Sequence, residues 1–266
     1  MSLIESIVLG IIQGLTEFLP VSSSGHLEIA KALFGDDSIP EESLLFSVVV
    51  HAATALSTIV IFRNTIWDLI KELFRFDWNE GTQYLFKIGV SIVPVGIVGV
   101  LFEDQIESFF NGQIMLVGFM LLVTGALLLF TTKAPSKEGK VTFGKAIIIG
   151  LAQAIAILPG ISRSGATIST GLLLGVEKSK AARFSFLMVL VPILGATALK
   201  MKDYLETPAT DGSIAGLTLL IGFLAAFISG LLACQWMISL VKKGKLIYFA
   251  IYCFAVGSIA VIWSII

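Results

Sequence analysis

Charge is what this sequence lacks. Only 14% of its 266 residues are Asp, Glu, Lys or Arg, against 56% that are hydrophobic, and the mean hydropathy is +0.94. A water-soluble domain of this length carries about a quarter charged residues, so the shortage excludes an ordinary soluble globule and makes lipid the solvent. The net charge of −1 provides no positive excess for nucleic acid. Cysteine is scarce as well: Cys234 and Cys253 sit in apolar runs without metal-type spacing and read as buried and inert. The opening Met-Ser-Leu-Ile-Glu has neither the basic segment nor the cleavage site of a signal peptide, and is expected to stay in the mature protein.

What is present is a set of apolar runs that can be tested by length. About 20 helical residues cross a hydrocarbon core, with a range of about 17 to 25. Six runs qualify or nearly so: 44–62, 85–102, 114–130, 184–199, 214–241 and 246–266, with Pro94 and Pro192 as expected kinks. Two others, 6–19 and 145–158, are about half a membrane long and stop at Pro20 and Pro159. Each is followed by a Ser/Gly turn and a second short stretch, 26–34 or 166–174, ending at Gly35 or Gly175. The pattern is that of a re-entrant hairpin, 6–35 and 146–175. Amphipathic surface helices fit less well, because Ile7, Val8, Leu9, Ile11 and Ile12 leave almost no polar face.

Shifting the chain by 140 positions aligns Ile7 with Ile147, Gly10 with Gly150, Gln13 with Gln153, Ser22 with Ser162, Ser24 with Ser164, Gly25 with Gly165, Leu33 with Leu173 and Gly35 with Gly175. The expected fold is therefore an all-α polytopic membrane protein of six transmembrane helices plus two re-entrant hairpins. It forms one membrane domain of two repeats, 1–134 and 141–266. Three spans per repeat is an odd number, so the second copy is inverted. Basic residues agree: Arg63, Lys71, Arg75 and Lys87; Lys133, Lys137, Lys140 and Lys145; Lys178, Lys180 and Arg183; and Lys242, Lys243 and Lys245 fall in alternate loops, which are then cytoplasmic. The first hairpin enters from outside and the second from inside, and their tips should meet near the midplane. Residues 66–74 read as an interfacial helix on the cytoplasmic surface.

The first tip, Gln13 to His26, is dense in reactive types. Glu17 lies four residues after Gln13 on the same helix face, and an ionisable group at that depth is a functional candidate by default. Ser22, Ser23, Ser24 and Gly25 offer hydroxyls and backbone N–H groups at a helix start suited to an anion, with His26 beside them. In the second tip Arg163 stands between Ser162 and Ser164, followed by Thr167, and its planar fork matches two phosphate oxygens. Serines before a helix are more often caps, His26 alone is equally a structural histidine, and Glu17 with Arg163 alone could be only an ion pair. Their joint occurrence on two related tips favours a reactive anion site. His51, inside an otherwise apolar span, is assigned with Gln13 and Gln153 to the cavity lining.

The tips, Gly-Leu-Thr-Glu-Phe-Leu-Pro-Val-Ser-Ser-Ser-Gly-His at 14–26 and Pro-Gly-Ile-Ser-Arg-Ser-Gly-Ala-Thr at 159–167, resemble those of the undecaprenyl-diphosphate phosphatases of the bacitracin-resistance type. The similarity runs on through Phe184 to Leu187 and Pro192. It implies a polyprenyl diphosphate substrate and a divalent cation requirement (Mg or Ca), for which Glu17 is the candidate ligand; the expected location is the bacterial inner membrane, and the basic-loop count turns the hairpin carrying Glu17 and His26 to the outer side. Many members carry glutamate where this chain has Gln13, and Gln-Leu-Gly where it has His51-Ala52-Ala53. In the resulting scheme Arg163 and the helix starts hold the diphosphate, Ser23 attacks phosphorus, Glu17 takes its proton, and His26 protonates the leaving oxygen or activates water. A rival assignment makes His26 the nucleophile. A homodimer is a further expectation, and a secondary transporter or lipid flippase is the alternative function, since broken inverted repeats also build transporters.

Overall fold

The computed structural model describes residues 1–34, 40–102, 105–106, 109, 112–134, 138–206 and 216–266. Gly35, Lys137 and the expected span start at Ile214 lie outside them. Among the described residues the regular structure is helical, with one isolated bridge between Gly139 and Val176. In chain order the helices are α1 (Leu3–Phe18), α2 (Ser23–Phe34), α3 (Pro40–Ile61), α4 (Arg63–Leu73), α5 (Glu80–Leu101), α6 (Ile114–Phe130), α7 (Phe143–Ile155), α8 (Arg163–Leu173), α9 (Lys178–Met188), α10 (Leu190–Glu206), α11 (Gly216–Lys242) and α12 (Ile247–Trp263).

Four helical stretches are long and apolar enough to cross a membrane: Glu80–Leu101, Ile114–Lys133, Lys178–Leu199 and Gly216–Lys242. A fifth is reached if Leu45–Ile61 is joined to α4, from which it is bent by 75°. The stretch expected at 184–199 begins earlier, at Lys178, and breaks at Val189 rather than at Pro192 itself. Pro192 has no N–H for the carbonyl of Met188, so the ladder fails in the turn before it. Pro94 lies inside α5 without ending it. At 17 residues, α12 is shorter than the run that announced it.

The outer surface confirms lipid as the solvent. Val93, Ile97 and Val100 on α5, and Leu217, Leu220, Leu224, Ile228 and Leu232 on α11, are all exposed at helical spacing. Small and polar residues face inward instead. Along α1, Gly10 and Gly14 lie against Gly222, Ala226 and Ser229 of α11, so closely that neither has room for a Cβ. Gly150 of α7 lies in the same manner against Ser91 of α5. α6 and α12 pack along each other, with Gly118 against Gly257 and Gly125 against Ala250. These close approaches fix where the two broken segments sit.

Candidate active site

α1 ends at Phe18, just before Pro20, whereas α7 ends at Ile155, short of the expected stop at Pro159, and the two turns that follow touch. Ser22 takes φ +70°, a left-handed conformation costing about 1–2 kcal/mol in a residue with a Cβ. It is held by its contacts. Its Oγ accepts from the amide of Gly25 at 3.3 Å and from that of Gly160, in the other tip, at 3.1 Å; its carbonyl accepts from the His26 amide at 3.2 Å. Gly160 has φ +95°, and a Cβ on Gly25 would come within 3.0 Å of its Cα, so glycine on both tips permits backbone-to-backbone contact. Thr124 of α6 clamps the second tip, donating to the Gly160 carbonyl and accepting from the Ser162 amide, each at 3.0 Å.

Glu17, at the buried end of α1, is the hub. Its Oε1 pairs with Nη2 of Arg163, the first residue of α8, and its Oε2 accepts from Gln13 Nε2 and from Ser23 Oγ, both at 2.8 Å. His51 of α3 donates from Nδ1 to the Ser47 carbonyl at 2.7 Å, which turns Nε2 toward Glu17 Oε2, 3.8 Å away. The Glu17 side chain is 4% exposed, whereas those of Arg163 and His51 are each 27% exposed. The carboxylate therefore forms the floor, and the groups around it reach toward the mouth.

Several expected phosphate binders are otherwise engaged. Ser162 caps α8, accepting from the Gly165 amide at 3.0 Å; Ser164 donates to the Leu19 carbonyl at 3.2 Å; Thr167 donates to the Arg163 carbonyl at 2.8 Å. With Ser22, they hold the two tips in shape. Ser23 and Ser24 open α2, at helix positions whose amides have no intrahelical acceptor. Gln13 joins the carboxylate directly, but its Oε1 is buried without a partner. Gln153 lies buried on α7 with both amide atoms unpartnered, apart from the Glu17 network.

The enclosed space beside the Glu17–Arg163 pair is about 10 Å³, lined by Thr54, Thr58 and Ser185 among others. It differs from the lining expected from sequence, since Gln13, His51 and Gln153 do not border it. That space has room for about one water, while Ser23, His26 and Arg163 are each partly exposed. His26 faces a residue that sequence reasoning did not single out, Tyr252 of α12, through a 2.8 Å hydrogen bond at Nε2. Tyr252 and Thr124 carry no local signal, being single polar groups inside apolar runs far along the chain.

The profile of the bacitracin resistance protein BacA matches residues 6–259. The chain belongs to the BacA family. Among curated relatives, the undecaprenyl-diphosphatase of Christiangramia forsetii is 59% identical over 265 residues, 99% of each chain. That of Bacteroides fragilis is 53% identical over 261 residues, 98% of this chain and 97% of its own. The undecaprenyl-diphosphatase of Methanobrevibacter smithii is 41% identical over 282 residues, 100% of this chain and 99% of its own.

Proposed function

We infer that this chain hydrolyses undecaprenyl diphosphate to undecaprenyl phosphate and inorganic phosphate, recycling the lipid carrier of cell-wall synthesis and so conferring bacitracin resistance. The observation that carries the chemistry is the hydrogen bond from Ser23 Oγ to Glu17 Oε2, beside Arg163. A hydroxyl already donating to a carboxylate is a nucleophile with its base in place. A transporter needs a binding site but not this pair.

Ser23 Oγ attacks the terminal phosphorus, its proton passes to Glu17 Oε2, and the bond from phosphorus to the bridging oxygen breaks. Arg163 keeps one N–H on Glu17 and has others for the oxygens of the transferred phosphoryl group, where negative charge builds. His26, taking up a proton at Nε2 as the diphosphate binds, supplies it to the leaving undecaprenyl phosphate and then withdraws one from water as the phosphoserine is hydrolysed, while Glu17 returns its proton to Ser23 Oγ. Serine is favoured over histidine as nucleophile because both His26 nitrogens are already hydrogen-bonded, to the Ser22 carbonyl and to Tyr252, while Ser23 faces its base.

A divalent cation, Mg or Ca, fits the donor set in part. Glu17 contributes a carboxylate, the unpartnered Oε1 of Gln13 a neutral oxygen, and the diphosphate would complete the shell. Bound there, it would neutralise charge on the diphosphate oxygens.

The architecture is taken as six spans and two re-entrant hairpins in inverted repeat. The swapped pairing of α1 with α11 and α7 with α5, and the mutual pairing of α6 with α12, supports it. Seventeen residues of α12 rise about 26 Å, close to the thickness of a thin bilayer. The distribution of basic residues over alternate loops supports an orientation with the first tip toward the outer side of the bacterial inner membrane. Purified protein supplied with undecaprenyl diphosphate and a divalent cation should release inorganic phosphate; none under any metal tried would refute the assignment. External thiol labelling at Lys140→Cys, expected to fail in intact cells, tests the orientation.

A further inference from the structure

His26 is held from two sides. Its Nδ1 lies 2.8 Å from the Ser22 carbonyl and its Nε2 2.8 Å from the Tyr252 hydroxyl. The two rings stack, with centroids 5.6 Å apart and planes inclined by 12°. A carbonyl only accepts, so the Nδ1 proton is committed to Ser22; in the neutral ring the lone pair is then on Nε2, and the Tyr252 O–H donates to it. This is the one hydrogen bond between α2 and α12 among the described residues. Tyr252 itself has little freedom to drift. The next residue, Cys253, is buried and donates from Sγ to the Pro20 carbonyl of the first tip at 3.7 Å, and α12 is seated along α6 through Gly257 and Ala250.

We propose that Tyr252 is a positioning residue for the hydrolysis: it fixes the tautomer and direction of His26, so that Nε2 is the nitrogen presented to the leaving oxygen and to water. The proposal rests on the reading that His26 exchanges those protons. A phenol suits the task because its hydroxyl donates to a neutral imidazole and accepts from an imidazolium after a rotation about one bond. His26 therefore keeps one orientation in both protonation states. Neither Ser22, whose carbonyl serves only Nδ1, nor any aliphatic side chain on α12 has that property. The geometry also places the leaving group. Since Nδ1 is tied to backbone, the departing oxygen must share or replace the Tyr252 hydroxyl at Nε2. The polyprenyl phosphate then leaves along the face of α12, where the Tyr252 ring is 42% exposed.

The chain has only two histidines, so ¹⁵N-histidine labelling reads His26 directly, with His51→Gln used to assign the second signal set. In the unaltered protein His26 should show a protonated Nδ1 and a hydrogen-bonded, unprotonated Nε2; an Nε2–H tautomer overturns the proposal without any variant at Tyr252. Tyr252→Phe keeps the ring stack and removes only the hydroxyl. It should shift the Nε2 signal to that of a free lone pair and lower kcat about tenfold, with KM changed by less than about twofold. A merely structural tyrosine would move the unfolding midpoint but leave kcat and the tautomer alone, and that result also overturns the proposal. Wild-type kcat in Tyr252→Phe with an inactive His26→Ala defeats the role of Tyr252 while leaving that of His26 standing. Full activity in His26→Ala defeats the underlying reading itself.

Discussion

Arg163→Lys isolates the guanidinium fork from its charge. Arg163 begins α8 with one N–H on Glu17 Oε1, which leaves four of its five donors for phosphate oxygens. A lysine ammonium is compact and cannot hold the carboxylate and two phosphoryl oxygens in one plane. Its charge survives, so Glu17, 4% exposed, is not left as an uncompensated buried anion. That loss, expected for Arg163→Ala, costs about 3–5 kcal/mol; for Arg163→Lys the folding penalty should be about 1 kcal/mol, or roughly 2–4 °C in unfolding midpoint for a chain of this size. In the transition state, one charge-assisted hydrogen bond disappears, about 2 kcal/mol, which corresponds to about 30-fold in kcat. Phosphate release from saturating undecaprenyl diphosphate in detergent, with thermal unfolding in parallel, separates the two effects. Near-normal turnover in Arg163→Lys would sink the fork argument. A drop in midpoint of more than about 10 °C would instead assign the loss to the Glu17 pair's structural role.

Other consequences follow from the same contacts. Ser23→Ala should lower turnover by at least about a thousandfold without disturbing the Glu17–Arg163 pair, and rapid quenching of the unaltered enzyme should yield phosphate on Ser23; label on His26 would reverse the nucleophile assignment. Chelation should abolish activity, with Mg or Ca restoring it, and undiminished turnover in excess chelator would remove the cation from the scheme. Gly14→Leu should destabilise by about 1–3 kcal/mol or more, because Ala226 and Ser229 leave its Cβ no room; Gly96→Leu, at a position open to its surroundings, should not. Equal midpoints for the two would contradict the packing of α1 on α11.

Much of the site was legible because its residues are local in sequence. Gln13, Glu17 and Ser23 fall within one helix end and one turn, so helical spacing alone brings the first two to one face, and Pro20 predicts the break that lets the third fold back onto them. The roles of the hydroxyls were not legible. Ser22, Ser162, Ser164 and Thr167 look like anion donors in the sequence, yet Ser162 and Thr167 bond to backbone within their own helix start, and Ser22 and Ser164 to backbone that only the meeting of the tips brings near. Tyr252 and Thr124 were invisible for the related reason that their partners lie 226 and 36 residues away, respectively.

By itself the sequence determined the solvent, the approximate extent of the apolar helices and that two of them stop short near a proline. These depend on composition, on the 1.5 Å rise per residue and on proline's missing N–H, all properties of a segment taken alone. Tertiary structure decided which broken helix lies on which span, and hence that Arg163 reaches Glu17 and Tyr252 reaches His26. Those pairings depend on glycine-to-backbone approaches such as Gly14 on Ala226 and Gly25 on Gly160, where fit between two distant surfaces selects the neighbour and no single stretch of chain carries the information.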